Sequence, residues 1–107
     1  VIAAVAEALG ATATLVVADA QSTPATVIDT VRAAGVGDAV VILLLPAVSV
    51  MERAMLLAAL GPLAGELAPR RVCAIDVVEG APTEHVVTAA RFLAGARSTT
   101  GQVLRID

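Results

Sequence analysis

The chain has no tyrosine and no tryptophan, and only one phenylalanine, one histidine and one cysteine. These scarcities exclude a good deal. One His and one Cys cannot furnish a zinc site. A single Cys allows no internal disulfide, so a reducing cytoplasm is the expected setting. Clustered positive charge is scarce too: seven basic residues are scattered among ten acidic ones, and the net charge is −3. Nucleic-acid binding draws on dense positive charge that displaces counterions, so no such partner is expected. The longest uninterrupted apolar run, Ala39 to Val48, is too short to span a bilayer. No signal-peptide pattern opens the chain, and no membrane partner is expected. The opening, VIAAVAEALG, also lacks a Ser, Thr, Asp or Asn to cap a helix. It reads as the middle of an element, and the expectation is a fragment of a longer protein with a strand before Val1.

What is present is small and aliphatic. The apolar fraction is 58%, carried by Ala, Val and Leu. Such residues let helices pack closely on a parallel sheet, and 107 residues are enough for one core. Val1 to Leu9 reads as an amphipathic helix stopped by Gly10. Residues 12–20, TATLVVADA, form a β-branched apolar run and predict a buried strand. Residues 22–35 predict a helix with Ser22 or Thr23 as N-cap, Pro24 at the first helical position and Gly35 as its end. Residues 38–46, DAVVILLLP, predict a strand covered on both faces. Ser49, with Glu52 three residues on, has capping-box spacing and opens a helix to about Ala68, which Gly61-Pro62 is expected to kink or split. Residues 70–77 predict a third strand. Residues 82–96 predict a fourth helix capped by Thr83, and residues 101–107 a fourth strand. This alternation predicts an α/β fold: a partial Rossmann-like (flavodoxin-like) parallel sheet of about four strands with helices on both faces.

The tail FLAGARSTTGQVLRID resembles the end of the short-chain dehydrogenase/reductase family, with Phe92, Leu93, Thr100, Gly101, Gln102 and Asp107 matching in order and spacing. Upstream, LAGELAPRRVCAIDVVEG is similar to a family helix end, strand and turn through Glu66, Pro69, Val72 and Gly80. The resemblance is good over residues 38 to 107 and weak over residues 1 to 37. It implies that the second half of the fold is present as one degenerate domain over residues 1–107. Within the family it is most similar to the non-catalytic domain ahead of the ketoreductase in high-molecular-weight 3-oxoacyl-ACP reductases.

The same resemblance locates departures. The family's Tyr-x-x-x-Lys pair falls on Ser49 and Arg53, so no catalytic residue is expected. A serine hydroxyl needs a neighbouring base to be activated, and arginine is no tunable proton carrier. The loop holding the family's catalytic Ser is reduced to LLLPAVS, and the lid after Gly80 is gone. Glu79 stands where the family has Pro. No Gly-x-x-x-Gly-x-Gly occurs. The implied cofactor is none by itself, with NADP or NAD if the parent protein is an active reductase.

Several side chains have both a functional and a plainer reading. Ser49 and Arg53 could form a relic anion site at a helix N-terminus, or be an N-cap and a solvated arginine; the plainer reading is preferred. His85 reads as a surface histidine, and Glu79 and Glu84 as acids favoured near a helix N-terminus. Cys73 reads as a core residue. Asp76 falls inside a strand run, where it would need a partner that the sequence does not supply. Asp19, at the C-terminal end of a strand, and Gly80 are the candidate cofactor contacts, because ligands of open α/β sheets sit beyond those ends.

Three functions are compatible with these residues. The first is a non-catalytic structural or dimerisation module associated with a 3-oxoacyl-thioester reductase, packed against a neighbouring reductase domain or a second copy. The second is an NAD(P)H-dependent ketoreductase whose cofactor loop lies outside this segment. The third, a flavodoxin-like nucleotide or flavin binder, is the least favoured, because Phe92 is the only aromatic available for stacking.

Overall fold

The β-branched and leucine-rich runs assemble into a four-stranded, all-parallel sheet of order β1-β2-β3-β4 in a computed structural model that describes residues 1–34 and 39–107. The elements are α1 (Ile2–Leu9), β1 (Thr14–Ala18), α2 (Pro24–Ala33), β2 (Ala39–Leu44), α3 (Val50–Leu67), β3 (Arg71–Val77), α4 (Thr83–Gly95) and β4 (Val103–Ile106). Every residue of β2 and β3 is buried, as a strand covered on both faces requires. Alternate side chains divide the core. Val40, Ile42, Leu44, Val72 and Ala74 pack against Val27 and Val31 of α2 and Leu56, Leu60 and Leu63 of α3. Val41, Leu43, Cys73, Ile75 and Val77 pack against Val5 and Leu9 of α1 and Val86 and Leu93 of α4. Among the described residues, no helix is long and apolar enough to cross a membrane.

The ends of the elements follow local chemistry. Thr23, rather than Ser22, caps α2, accepting a hydrogen bond from the Thr26 amide at 3.2 Å. Pro24 takes the first helical position as expected. The expected stop at Gly35 and the strand start at Asp38 lie outside the described residues. Gly10 ends α1 at φ +55°, a conformation that strains any side chain. Thr83 does not cap α4. Pro82 occupies that position, and Thr83 is the first helical residue. Nor does Pro62 split α3, which runs unbroken to Leu67. Leu60, Leu63 and Ala64 hold both sides of the proline against the sheet, while Ala58, whose carbonyl loses its partner, faces water.

The helix positions carry a consequence for chirality. The strands are added in chain order across the sheet, yet α2 and α3 lie on one face and α4 on the other. The β3–α4–β4 connection therefore has the opposite hand to the two before it. With those two in the ordinary right-handed sense, this last crossover is left-handed, an arrangement found in only about 2% of such units. Specific contacts secure it. Arg71, buried at the start of β3, donates from Nη1 to the carbonyls of Leu93 (2.9 Å) and Ala96 (2.7 Å), and from Nη2 to that of Ala94 (3.2 Å). The turn after α4 docks on the same strand. Thr100 Oγ1 accepts from the Val72 amide at 3.0 Å, and the Gly101 amide donates to the Val72 carbonyl at 2.7 Å. The Thr-Thr-Gly-Gln stretch thus tailors the edge of β3 before β4 begins.

On the other face, Arg32 of α2 donates from Nε (2.7 Å) and Nη2 (3.0 Å) to the carboxylate of Glu66 on α3. These hydrogen bonds, opposed by desolvation and helped by charge attraction, hold the Glu66 carboxyl below its ordinary value. A carboxyl lowered on folding stabilises above its unfolded pKa, and that contribution is lost as pH falls through the folded value. The melting temperatures of the wild type and Glu66→Gln are expected to differ slightly near about pH 7 and to converge toward about pH 3. A difference that persists unchanged in acid would remove the ion pair as its source.

Candidate functional site

The C-terminal ends of β2, β3 and β4 open onto a cleft of about 200 Å³. Its polar lining is Arg53, Asp76, Glu79 and Arg105, and its apolar lining is Pro46, Val77 and Val78. This is the edge where open α/β sheets bind ligands. Arg53 projects from the second turn of α3, which begins at once after the short Leu45–Ser49 link. Its guanidinium is mostly buried, with 19% of the side chain exposed. One arm forms an ion pair with the Asp76 carboxylate, and the other donates to the Leu45 carbonyl at 2.6 Å. The reading of Arg53 as a solvated arginine is thereby corrected. Asp76 is buried, as its place in the strand suggests, and Arg53 is the partner that the sequence alone does not identify. Arg105 stands beside Asp76 in register on the neighbouring strand, on the same face of the sheet. Its side chain forms no ion pair among the described residues.

Ser49 lies outside this cleft. Its hydroxyl accepts from the Glu52 amide at 3.2 Å and caps α3. Asp19 follows β1 at the same end of the sheet, but its carboxylate is engaged locally. It accepts from the Gln21 amide at 2.9 Å and the Ser22 hydroxyl at 3.2 Å, while its own amide donates to Ser22 Oγ at 3.0 Å. Gly80 follows Glu79 at φ +85°, and a Cβ there would meet no atom within 4 Å. The backbone angle, not a close approach, is what requires glycine at this turn. His85 is turned away from the cleft, with Nδ1 3.1 Å from the Asp107 carbonyl. Glu84 is in the first turn of α4, and its carbonyl accepts from the Thr88 hydroxyl. Cys73 is buried, and its thiol donates to the Thr99 carbonyl.

The structure therefore brings Arg53, Asp76, Glu79 and Arg105 together, and leaves Ser49, Asp19 and His85 in separate local roles. Two guanidinium groups and two carboxylates give the cleft no net charge. Arginine stays protonated and offers donors only, so it can orient an anion but not carry a proton. No group of three His, Cys, Asp or Glu side chains among the described residues could hold a metal ion. Sequence reasoning missed Arg105 and Arg71. The β3–β4 register that aligns Arg105 with Asp76 becomes visible only once the strands are paired.

A family model described as SDR-like, short chain dehydrogenase-like protein, matches residues 4–106. Comparison with curated proteins and with solved structures gives no match. The match spans nearly the whole sheet and its helices, and the chain belongs to the short chain dehydrogenase-like family.

Proposed function

We propose that this chain is a non-catalytic structural module of short-chain-dehydrogenase descent, cytoplasmic and associated with a 3-oxoacyl-thioester reductase, which packs against a neighbouring reductase domain or a second copy. The observation that carries this reading is the engagement of Arg53. The guanidinium at the position that the resemblance equates with the family lysine is held by Asp76 and the Leu45 carbonyl. Ser49, at the tyrosine position, spends its hydroxyl on a helix cap. Neither group is placed to exchange a proton with a substrate oxygen. The cleft of about 200 Å³ is also smaller than the roughly 300–1,000 Å³ usual for small-molecule sites. A partner surface is supported by α3, where Val50, Met51 and Met55 are exposed, and Ala54 and Ala58 extend the same solvent-facing stripe.

Titration with NADPH and with NADH, followed by nicotinamide fluorescence, tests the reading. No saturable change is expected up to about millimolar cofactor, a concentration at which even a contact worth roughly 4 kcal/mol would be half occupied. Saturable binding well below that concentration would replace the scaffold reading with a reductase one.

A further inference from the structure

We propose that the cleft at the ends of β2, β3 and β4 binds a small aliphatic amino acid, with its carboxylate on Arg105 and its ammonium on Glu79. The inference goes beyond the scaffold reading and does not rest on it. Such a ligand calls for neither a nicotinamide cofactor nor a docked domain.

The argument begins with the charges that are already engaged. Asp76 is buried and paired with Arg53, whose other arm is held by the Leu45 carbonyl. That pair gives the cleft a fixed floor without net charge. The two remaining charged side chains of the lining, Arg105 and Glu79, are exposed. They form no ion pair with each other or with any other described residue. Strand register keeps them apart. Arg105 stands opposite Asp76 on the neighbouring strand. Glu79 comes three residues after Asp76, up to about 10 Å further along the strand direction. The cleft thus presents one free cation and one free anion with a gap between them.

Charge then selects the class of ligand. An anion drawn to Arg105 also meets the carboxylates of Asp76 and Glu79. A cation drawn to Glu79 also meets the guanidinium groups of Arg53 and Arg105. Attraction and repulsion largely cancel for either one. A molecule with one charge of each sign engages both free groups at once. A guanidinium takes a carboxylate through two parallel N–H···O bonds, and a carboxylate accepts from the N–H groups of an ammonium. Size limits the rest of the ligand. A volume of about 200 Å³ admits only a few heavy atoms, and Pro46, Val77 and Val78 offer an apolar wall to a short aliphatic segment. That segment can branch beside the two charges, as in alanine, or lie between them, as in β-alanine.

Nuclear magnetic resonance titration of the isotope-labelled chain at constant ionic strength tests the proposal. The probes are L-alanine, β-alanine, propionate and propylamine. The amide shifts of Val77, Val78 and Glu79 are expected to saturate with at least one of the two amino acids, at a dissociation constant of about 1 mM. The tighter of the two tells where the aliphatic segment lies. Propionate and propylamine, with one charge each, are expected to bind at least roughly tenfold more weakly. Arg105→Gln and Glu79→Gln are each expected to weaken the amino acid by a similar factor. Both side chains are exposed, so the variants keep the core, and their spectra away from the cleft check this directly. The absence of saturable shifts, propionate or propylamine binding as tightly as the amino acids, or an affinity unchanged in either variant would each overturn the proposal.

Discussion

Asp76→Ala is expected to destabilise the fold by roughly 3 kcal/mol in urea denaturation followed by circular dichroism, the low end of the range for breaking a buried ion pair. The lower end applies because Arg53 retains 19% side-chain exposure and can regain some water once its partner is gone. The mechanism is the orphaned charge: without Asp76, the guanidinium stays mostly buried with only the Leu45 carbonyl as a partner. Arg53→Met is expected to be similarly costly for the opposite reason, since it leaves a carboxylate inside β3. The double variant Arg53→Met/Asp76→Val is expected to recover most of the loss, because it removes both desolvation costs and substitutes apolar contact. Arg53→Lys should behave as a partial loss. A lysine can reach the carboxylate or the carbonyl, but it lacks the planar fork that serves both. Additive losses in the double variant would show that the two side chains act independently, against the geometry.

This ion pair also connects stability to descent. The resemblance equates this position with a cation that serves chemistry in the family. Here the Arg53 guanidinium turns inward, tying together the end of β2, the second turn of α3 and the end of β3. Placing Tyr and Lys at positions 49 and 53 would therefore remove a helix cap and alter the bridge to Asp76 at once.

How far the sequence reaches is plain from particular residues. Periodicity and punctuation reveal all four strands and four helices, because buried parallel strands read as continuous aliphatic runs and Gly10, Pro24 and Ser49 mark ends by their backbone chemistry. The errors fall where tertiary packing overrides local preference. Pro62 breaks an isolated helix, but buried leucines on either side hold this one together. Thr83 is a good cap, but Pro82 already fixes the extended angle there. The site is less legible. Arg53 and Asp76 are 23 residues apart, and nothing local to either identifies the other. Arg71 is harder still, since its partners are backbone carbonyls that carry no residue-type signal.

Arg71→Met is expected to cost about 3 kcal/mol and to loosen one end of the sheet before the rest. The guanidinium is buried, and its hydrogen bonds reach three carbonyls at the C-terminus of α4. Hydrogen bonds to a charged group contribute roughly 1.5–3 kcal/mol each. Some of that is returned on substitution, because the carbonyls regain water and the arginine no longer needs desolvating. For a domain of this size, about 3 kcal/mol corresponds to a fall of roughly 12–24 °C in melting temperature. The location matters as much as the size. The β3–α4–β4 crossover has the unfavoured hand, so β4 is held by side-chain and turn contacts more than by any preference of the twisted chain. Arg71 fixes where α4 stops, and that stop sets where Thr100 and Gly101 meet Val72. In hydrogen exchange, the β4 amides of Arg71→Met are expected to lose protection first, while β1 and β2 stay protected until global unfolding. Thr100→Val, which removes the acceptor for the Val72 amide, should produce the same spatial pattern at about a third of the cost. Uniform loss of protection across all strands in Arg71→Met would mean that the arginine supports the core as a whole, and that the reversed crossover holds without it.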